Sequence, residues 1–283
     1  MRLRSTSILL CLGLGTLALV EGAVADLLPA ALLLLLASLL PPLRTLVPAA
    51  LVLLAFFGSA VLAEHASVAH DRRYWSVPRG PAGGLLYVAL GDSAAQGIGA
   101  SSPERGYVGL LANRMRRATG RPVQVVNLSR SGARVAEVIR TQLPRLRRLH
   151  PDVVTVAIGG NDVRSYVAAD FARDVSTLTA QLPPGTAIAD VPYFMHGWWE
   201  RNAAEAADVV RRSAERHGLT IVPLHDALRR QGWSAMLTQT AADWFHPNDR
   251  GHEVWACAFW RALTTAGTLD PVVRPSPQRT VRP

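Results

Sequence analysis

The stretch LLYVALGDSAAQG, residues 85–97, joins an apolar run to a tight turn that carries a serine. Its first part, Leu85–Leu90, has the length and composition of a buried β-strand. In open α/β sheets, ligands bind beyond the carboxyl ends of the strands, which is where this strand would deliver Ser93. Gly91 and Gly97 flank the serine and permit close approach of the backbone to a substrate carbonyl. A Gly-Asp-Ser tripeptide alone is more often an ordinary turn. Whether Ser93 belongs to a functional site therefore depends on the other motifs in the chain.

Downstream of this stretch, short apolar runs alternate with longer amphipathic ones. The pattern predicts four further strands, at Val123–Leu128, Val153–Ile158, Thr186–Val191 and Leu219–Val222. It predicts helices at Tyr107–Thr119, at Arg134–Leu149 with a break or kink at Pro144, and at Ala168–Leu182, Ala203–His217 and Gly251–Thr265. Strands that are apolar on both faces and alternate with helices indicate a parallel sheet covered on both sides.

Three more segments carry candidate site residues: two of them follow predicted strands, and the third lies just before the last predicted helix. Gly132 follows the second strand and offers a backbone N–H with no side chain in the way. Asn161, within GGND at residues 159–162, follows the third strand and can aim an amide N–H into the same crevice. Asp243 lies three residues before His246 and can accept its Nδ1–H, which leaves Nε2 free to take a proton. Each also has an ordinary interpretation, as a loop glycine, an Asx turn and one structural histidine among eight.

Taken together, the four segments resemble the SGNH hydrolases, a family named for a serine, a glycine, an asparagine and a histidine in four separated blocks. The matching blocks are Gly91-Asp92-Ser93 with Gly97, Gly132 after Asn127 and Ser131, Gly159-Gly160-Asn161-Asp162, and Asp243-x-x-His246-Pro247. Their order and their places in the strand–helix pattern also agree, over Leu85–Thr265. The resemblance implies a three-layer α/β/α fold with a mostly parallel, flavodoxin-like five-stranded sheet, and a serine hydrolase that cleaves carboxylic esters of acyl lipids or acylated glycans.

The resemblance also assigns a role to each matching residue. Ser93 attacks the ester carbonyl, and His246 removes its proton and later delivers one to the leaving alcohol. Asp243 orients His246 and stabilises it as imidazolium. The oxyanion hole consists of the backbone N–H groups of Ser93 and Gly132 and the side-chain amide of Asn161. Neither a cofactor nor a metal is implied.

Four aromatic residues just after the fourth predicted strand are candidates for a substrate pocket. They are Tyr193, Phe194, Trp198 and Trp199. Either they line an acyl or glycan pocket, or they simply cover that end of the domain. The family that the chain resembles spans lipases, lysophospholipases, thioesterases and carbohydrate deacetylases. The resemblance therefore indicates the type of bond that is cleaved but not the substrate molecule.

The first 63 residues predict a membrane segment of two to three transmembrane helices that precede the sheet. The apolar runs are Ser7–Val20, Leu27–Leu40 and Leu46–Ala63, and one crossing takes roughly 20 residues. Arg2 and Arg4 favour a cytoplasmic start, so three spans predict a cell-membrane protein whose catalytic domain lies outside the cytoplasm, whereas two uncleaved spans would place it inside. Signal-peptide cleavage after Ala25 is an alternative that still leaves two apolar runs as an anchor.

The predicted organisation is a membrane segment over 1–63, a linker over 64–84, a hydrolase domain over 85–268 and a disordered Pro- and Arg-rich tail over 269–283. Within the linker, Tyr74 and Trp75 suit the level of the lipid headgroups. The formal net charge is +9, and every basic residue other than histidine is arginine. These arginines are spread over several predicted helices, which does not indicate a nucleic-acid partner. The membrane and an ester substrate are the predicted partners, with the oligomeric state left open.

Three other functions fit parts of the sequence. An acyltransferase that moves an acyl group onto a sugar or lipid would use the same serine and oxyanion hole. A non-catalytic binding module on the same fold would not need the serine, histidine, aspartate and oxyanion-hole residues all to be present. Such a module would bind its ligand equally well after Ser93→Ala. A metal hydrolase could draw on His225, Asp226, His246 and His252, but their spacing matches no known metal motif.

Overall fold

The structure is a computed structural model that describes residues 67–195 and 197–267, with five isolated positions between residues 48 and 59. Apart from those positions, the predicted membrane segment lies outside the described residues, as do the predicted tail and the side chain of Trp198. No helix within the described part combines the length and the hydropathy that a membrane span needs. The chain divides into two compact units, Met1–Ala63 and Glu64–Pro283, and the second unit, which contains the strands, is described by itself.

Five parallel strands form one sheet in the order β2-β1-β3-β4-β5. The strands are β1 (Leu85–Gly91), β2 (Val123–Asn127), β3 (Val153–Ala157), β4 (Ala187–Ala189) and β5 (Thr220–Val222). All five predicted strands are present, and their order is that of a flavodoxin-like sheet, so the predicted fold class is confirmed for this unit. The chain reverses its winding direction between β1 and β3, and the crevice at the carboxyl ends of these two strands is the expected ligand site.

Helices cover both faces of this sheet. They are α1 (Ser93–Gln96), α2 (Tyr107–Thr119), α3 (Val135–Glu137), α4 (Leu143–Leu146), α5 (Ala168–Thr179), α6 (Gly197–Arg216), α7 (Leu224–Arg229), α8 (Ala235–Thr238) and α9 (Asp249–Thr265). A π-helical turn, Val138–Gln142, joins α3 to α4, and 3-10 turns occupy Pro103–Arg105 and Val163–Ser165. Alternate residues of β1 face opposite layers: Tyr87 packs in the cluster with α2 and α9, and Val88 in the cluster with α3 to α6.

Two helix predictions differ from the structure in their limits. The run predicted at Arg134–Leu149 is divided into α3, the π-helical turn and α4. Pro144 is the second residue of α4 and directly follows the π-helical turn, so the proline lies where the regular α-helical hydrogen-bond pattern is interrupted. Helix α6 begins at Gly197 instead of Ala203, because Glu200 in its first turn accepts the backbone N–H of Phe194 and ties the helix start to the preceding loop.

The predicted linker is helical at 67–74 and packs on the domain. Trp75 is buried in the core next to α2 and α9, and its indole N–H donates to the Gln96 carbonyl at 2.8 Å. Arg79 then forms an antiparallel bridge with Val125 of β2. The described part of the linker therefore belongs to the domain, and Trp75 lies in its core instead of at the headgroup level, because its indole N–H finds a partner inside the domain.

Candidate active site

Strand β1 delivers Ser93 to the edge of the sheet through a turn that only glycine can make at its first position. Gly91 has a φ of 153°, and a Cβ at this position would lie 2.3 Å from the Ala157 carbonyl oxygen of β3. The next residue, Asp92, caps α1 by accepting the Ala94 N–H at 3.0 Å. Ser93 is consequently the first residue of α1, in the crevice beyond β1 and β3.

A chain of hydrogen bonds connects Ser93, His246 and Asp243. His246 Nε2 lies 2.7 Å from Ser93 Oγ, and His246 Nδ1 lies 2.5 Å from Asp243 Oδ2. The other oxygen of Asp243 accepts the backbone N–H groups of Phe245 and His246 at 3.0 and 2.9 Å. An ionised carboxylate only accepts, so Nδ1 carries the hydrogen and Nε2 is the nitrogen that faces the serine hydroxyl.

The charge of Asp243 is set by this contact. Burial by itself raises the pKa of the Asp243 carboxyl, but the hydrogen bond and charge of His246 and the two backbone N–H groups outweigh burial and lower the pKa to about 2. The carboxylate is therefore ionised at neutral pH and fixes the imidazole tautomer. Between Asp243 and His246, Trp244 adopts a left-handed backbone with a φ of 58°, which turns the loop back toward Ser93.

The second and third blocks meet beside the serine turn. Asn161 donates its amide hydrogens to the Ala133 carbonyl at 3.0 Å and to Asp92 Oδ2 at 3.3 Å. The first contact connects Asn161 to the loop of Gly132, and the second connects it to the residue before Ser93. Gly132 itself is exposed, with a φ of 76°.

Two buried glutamines, which the sequence did not single out, hold these loops. Gln142, in the π-helical turn, accepts the Gly91 N–H at 3.0 Å and donates to the Gly91 carbonyl at 2.8 Å. Gln96, in α1, accepts both the backbone N–H and the hydroxyl of Ser131, at 3.0 and 2.6 Å. Gln142 therefore fixes the start of the serine turn, and Gln96 fixes the loop that contains Gly132. Gln96 lies within the first block but matches none of its defining positions, and Gln142 lies outside all four blocks, in a π-helical turn that is recognisable only in the structure.

Two further carboxyl groups near the serine turn have raised pKa values. Burial raises the pKa of Asp92 to about 6, and the charge of nearby Asp162 adds to this effect. Burial likewise raises the pKa of Asp162 to about 6, although this carboxyl accepts the Val135 N–H. Both side chains accept backbone N–H groups, Asp92 from Ala94 and Asp162 from Val135.

An apolar cavity of about 90 Å³ opens beside Ser93 and His246. One wall is the loop after β4, with Tyr193, Phe194 and Met195. The opposite wall comes from α7, α8 and α9, and its side chains are Leu224, Leu228, Ala235, Met236 and Trp255. Two of the four predicted pocket residues, Tyr193 and Phe194, thus line the cavity, whereas the α7–α9 wall was not predicted.

The other two predicted pocket residues have different positions. Trp199 lies behind the cavity wall, with its ring 6.3 Å from the ring of Phe194 and 6.2 Å from that of Phe245. Phe245 in turn stacks on Phe194 at 5.4 Å and meets the His246 ring at 5.1 Å. These contacts connect the post-β4 loop to the histidine loop, while the side chain of Trp198 lies outside the described residues.

The histidines considered as metal ligands have protein partners. His252 is fully buried between the Tyr107 N–H and the Ile98 carbonyl, and burial lowers its pKa to about 4. His225 contacts the Val191 carbonyl and Glu200. Among residues 67–195 and 197–267, no group of three or more His, Cys, Asp and Glu side chains is arranged to hold a metal ion.

A parallel α/β/α sheet that carries a hydrogen-bonded serine, histidine and aspartate at its carboxyl edge has the arrangement found in serine hydrolases. The model of the GDSL-like lipase/acylhydrolase family matches residues 89–254. The chain belongs to this family, which confirms the predicted resemblance and makes the protein a carboxylic ester hydrolase.

Solved structures with the same architecture include LAE5, an α/β hydrolase enzyme from the metagenome of Lake Arreo, Spain. Its chain is 28% identical with a TM-score of 0.55, over 64% of this chain and 95% of that chain. The acetylxylan esterase Axe2 from Geobacillus stearothermophilus is 22% identical with a TM-score of 0.52, over 63% of this chain and 94% of its own. TesA is 23% identical with a TM-score of 0.55, over 64% and 99%. The last two likenesses concern the fold alone, and no curated protein matches the chain in sequence.

Proposed function

We propose that the protein is a serine esterase that hydrolyses carboxylic esters with an apolar acyl group through an acyl-enzyme on Ser93. The observation that carries this proposal is the alignment of Ser93 Oγ with His246 Nε2 at 2.7 Å, next to an apolar cavity. A serine hydroxyl becomes a nucleophile only with a base in hydrogen-bond reach, and an orienting carboxylate keeps that base in the right tautomer.

The reaction then follows from the positions of the side chains. Ser93 Oγ attacks the ester carbonyl carbon while His246 Nε2 takes the hydroxyl proton. The tetrahedral intermediate collapses, its bond to the alcohol oxygen breaks, and His246 returns the proton to the leaving alcohol. A water molecule, deprotonated by His246, then attacks the acyl-enzyme and releases the acid together with free Ser93.

Three donors are proposed for the oxyanion: the N–H groups of Ser93 and Gly132 and the Asn161 amide. The Ser93 N–H belongs to the first turn of α1, whose N–H groups have no carbonyl partner within the helix. The longer Asn161 contact, at 3.3 Å to Asp92 Oδ2, is the one that an oxyanion would replace. Preorganised donors of this kind typically contribute about 100- to 1000-fold in rate each.

The test is hydrolysis of a p-nitrophenyl ester series, from acetate to long acyl chains, by the full chain in detergent micelles beside its Ser93→Ala variant. We expect activity that the variant loses while its thermal unfolding stays unchanged, with a preference for chains that fill the apolar cavity. A folded wild-type protein without activity on every chain length, or a variant that keeps its activity, would contradict the proposal. Product analysis with an added sugar acceptor separates hydrolysis from acyl transfer.

We further propose that the protein is anchored in the cell membrane with its catalytic domain outside the cytoplasm. The support is the three apolar runs before residue 64 and the basic start at Arg2 and Arg4. Arg72, Arg73 and Arg79, after the third run, favour the opposite orientation. Activity of a C-terminal alkaline phosphatase fusion, which needs an oxidising compartment, is expected for the proposed orientation, and its absence with normal expression would reverse it.

A further inference from the structure

His225 and Glu200 form a buried pair behind the loop that walls the cavity, and the proposed reaction does not use them. Their side chains are 7% and 23% exposed, and His225 Nε2 lies 3.1 Å from Glu200 Oε1. Glu200 also accepts the backbone N–H of Phe194 through Oε2 at 2.8 Å. One carboxylate therefore connects the histidine to a cavity-lining residue.

The contacts of His225 fix where its hydrogens lie. Nδ1 is 3.1 Å from the Val191 carbonyl oxygen, which can only accept, so Nδ1 carries a hydrogen. The contact between Nε2 and Glu200 is then a hydrogen bond only when a further proton lies between the two groups. Either an imidazolium faces a carboxylate, or a neutral imidazole faces a protonated carboxyl group. When this proton is lost, the lone pair of Nε2 faces a negatively charged oxygen.

The surroundings hold the histidine firmly and leave Glu200 as the group that can move. Asp190 accepts the His225 backbone N–H at 2.7 Å and is itself paired with Arg211 at 2.7 Å. On α7, Asp226 is paired with Arg229. The Tyr193 ring meets the imidazole edge-on at 5.5 Å.

The charge of Glu200 depends on the same neighbours. Burial raises the pKa of the Glu200 carboxyl, while the Phe194 N–H, the charge and hydrogen bond of His225 and the charge of Arg229 oppose that rise. Repulsion after proton loss therefore acts on Glu200, whose other oxygen holds Phe194.

We propose that His225 and Glu200 are positioning residues that hold the Tyr193–Phe194 wall of the acyl cavity through one shared proton. The inference rests on the proposed function and adds pH control of substrate fit to it. At low pH the proton is present and the wall is in place. When the shared proton is lost at higher pH, Glu200 loses its bond to His225 and the Phe194 segment loosens, so esters that fill the cavity bind less well. An acetyl ester has only two acyl carbons and leaves most of the cavity empty, so its KM is expected not to depend on this wall.

The first test compares KM for p-nitrophenyl acetate and p-nitrophenyl octanoate, for the full chain in detergent micelles, from about pH 5 to about pH 9. We expect the octanoate KM to rise about two- to tenfold with pH, the loss of one hydrogen bond, while the acetate KM stays level. In Glu200→Gln the octanoate KM no longer rises with pH, because the amide oxygen still accepts the Phe194 N–H and the amide N–H₂ can donate to a His225 Nε2 that carries no hydrogen. A level octanoate KM in the wild type, or a Glu200→Gln profile parallel to the wild type, overturns the proposal.

Asp226→Asn is the matched control, since it removes the same unit of negative charge one residue away from His225. Asp226 contacts Arg229 at 3.2 Å, so the variant keeps the Glu200–His225 pair. We expect its octanoate profile to follow the wild type. If the octanoate KM of Asp226→Asn stopped rising with pH, as expected for Glu200→Gln, the pH dependence of KM would come from the overall negative charge of this region and not from the shared proton.

A second measurement decides the proposal even if no ester is hydrolysed. All seven tryptophans lie after residue 74, and Trp199 packs on Phe194 and Phe245. The tryptophan emission of the full chain is therefore expected to change with pH in the wild type and in Asp226→Asn, and to lose that step in Glu200→Gln. Identical titrations in wild type and Glu200→Gln overturn the positioning pair, whereas absent hydrolysis alone overturns only the esterase assignment.

Discussion

At the scale of single residues, Asp243 decides which nitrogen of His246 faces the serine. Its Oδ2 receives the Nδ1 hydrogen, and its Oδ1 receives two backbone N–H groups. In Asp243→Asn, the amide oxygen can keep the backbone contacts, which turns the amide N–H₂ toward Nδ1. The imidazole hydrogen then moves to Nε2, and this nitrogen can no longer accept the proton of Ser93.

We expect Asp243→Asn to lower kcat by about 10³- to 10⁴-fold with little change in KM, as found when the orienting aspartate of a serine triad is replaced by asparagine. Steady-state kinetics on p-nitrophenyl esters measure the effect, and circular dichroism with thermal unfolding shows whether the fold is intact. A folded variant that retains activity within about tenfold of the wild type would mean that Asp243 does not set the tautomer.

Gly91 is the second residue on which the site depends, because a Cβ at this position would lie 2.3 Å from the Ala157 carbonyl oxygen. Gly91→Ala introduces this clash in addition to a strained φ of 153°. Gly120→Ala is the matched control, since Gly120 has a φ of 66° but open space around an added Cβ. We expect the control to lose about 1 kcal/mol of unfolding free energy and Gly91→Ala to lose at least about 2 kcal/mol more. Equal losses in urea unfolding would show that β3 moves aside.

At the scale of elements, strands and site blocks were predictable because both depend on local patterns. A buried parallel strand has to be apolar, and a polar turn directly after it has to lie at the ligand edge of the sheet. Ser93 and Asn161 were singled out by these two rules, whereas His246 was singled out by Asp243 three residues before it. The order of strands and the pairing of Asn161 with Asp92 and Ala133 depend on long-range contacts that the local pattern does not contain.

The α7–α9 wall of the cavity could not be predicted for a related reason. Helices α7 and α8 have six and four residues, too short for a periodic pattern to distinguish them from loops. The aromatic cluster after β4 was visible by composition, but composition does not tell which rings face the cavity. Tyr193 and Phe194 face it, whereas Trp199 buttresses Phe194 from behind.

The segment before β1 shows how a polar, glycine-rich composition can conceal a structural element. Trp75 is 7% exposed and donates to the carbonyl of Gln96, the residue that positions Ser131. Trp75→Ala is therefore expected to cost about 3–5 kcal/mol of unfolding free energy and to lower kcat/KM. Urea unfolding of the full chain measures the loss, with Val77→Ala as control because Val77 is 52% exposed. Equal stability of the two variants would mean that the segment is only a linker.

At the scale of the whole molecule, the two halves of the candidate active site come from opposite ends of the domain. Ser93 follows β1, whereas His246 precedes α9, the last helix of the described chain. Helix α9 packs against α2, and His252 within it accepts the Tyr107 N–H at 3.3 Å and lies 3.0 Å from the Ile98 carbonyl. Because Ile98 follows α1, this buried imidazole connects the helix after His246 to the segment after Ser93.

The same imidazole makes the fold sensitive to acid. Burial lowers the pKa of His252 from 6.5 to about 4. Between pH 6.5 and about pH 4, His252 therefore binds a proton in the unfolded chain but not in the folded chain. Its contribution to stability is intact above about pH 6.5 and is lost progressively toward pH 4, by about 3 kcal/mol at about 1.4 kcal/mol per pKa unit.

His252→Gln isolates this effect from the other groups that titrate in the same range, such as Asp92 and Asp162. Glutamine has an acceptor and a donor for the same two contacts and no proton to gain. Urea unfolding of both proteins is measured from about pH 7 to about pH 4. Over this range the unfolding free energy of the wild type is expected to fall by about 3 kcal/mol relative to that of the variant. A wild-type-minus-variant difference that does not change with pH would place a charged or exposed histidine at position 252. The packing of α9 against the domain would then not depend on a neutral imidazole. Any loss of stability at low pH would have to come from other titrating groups.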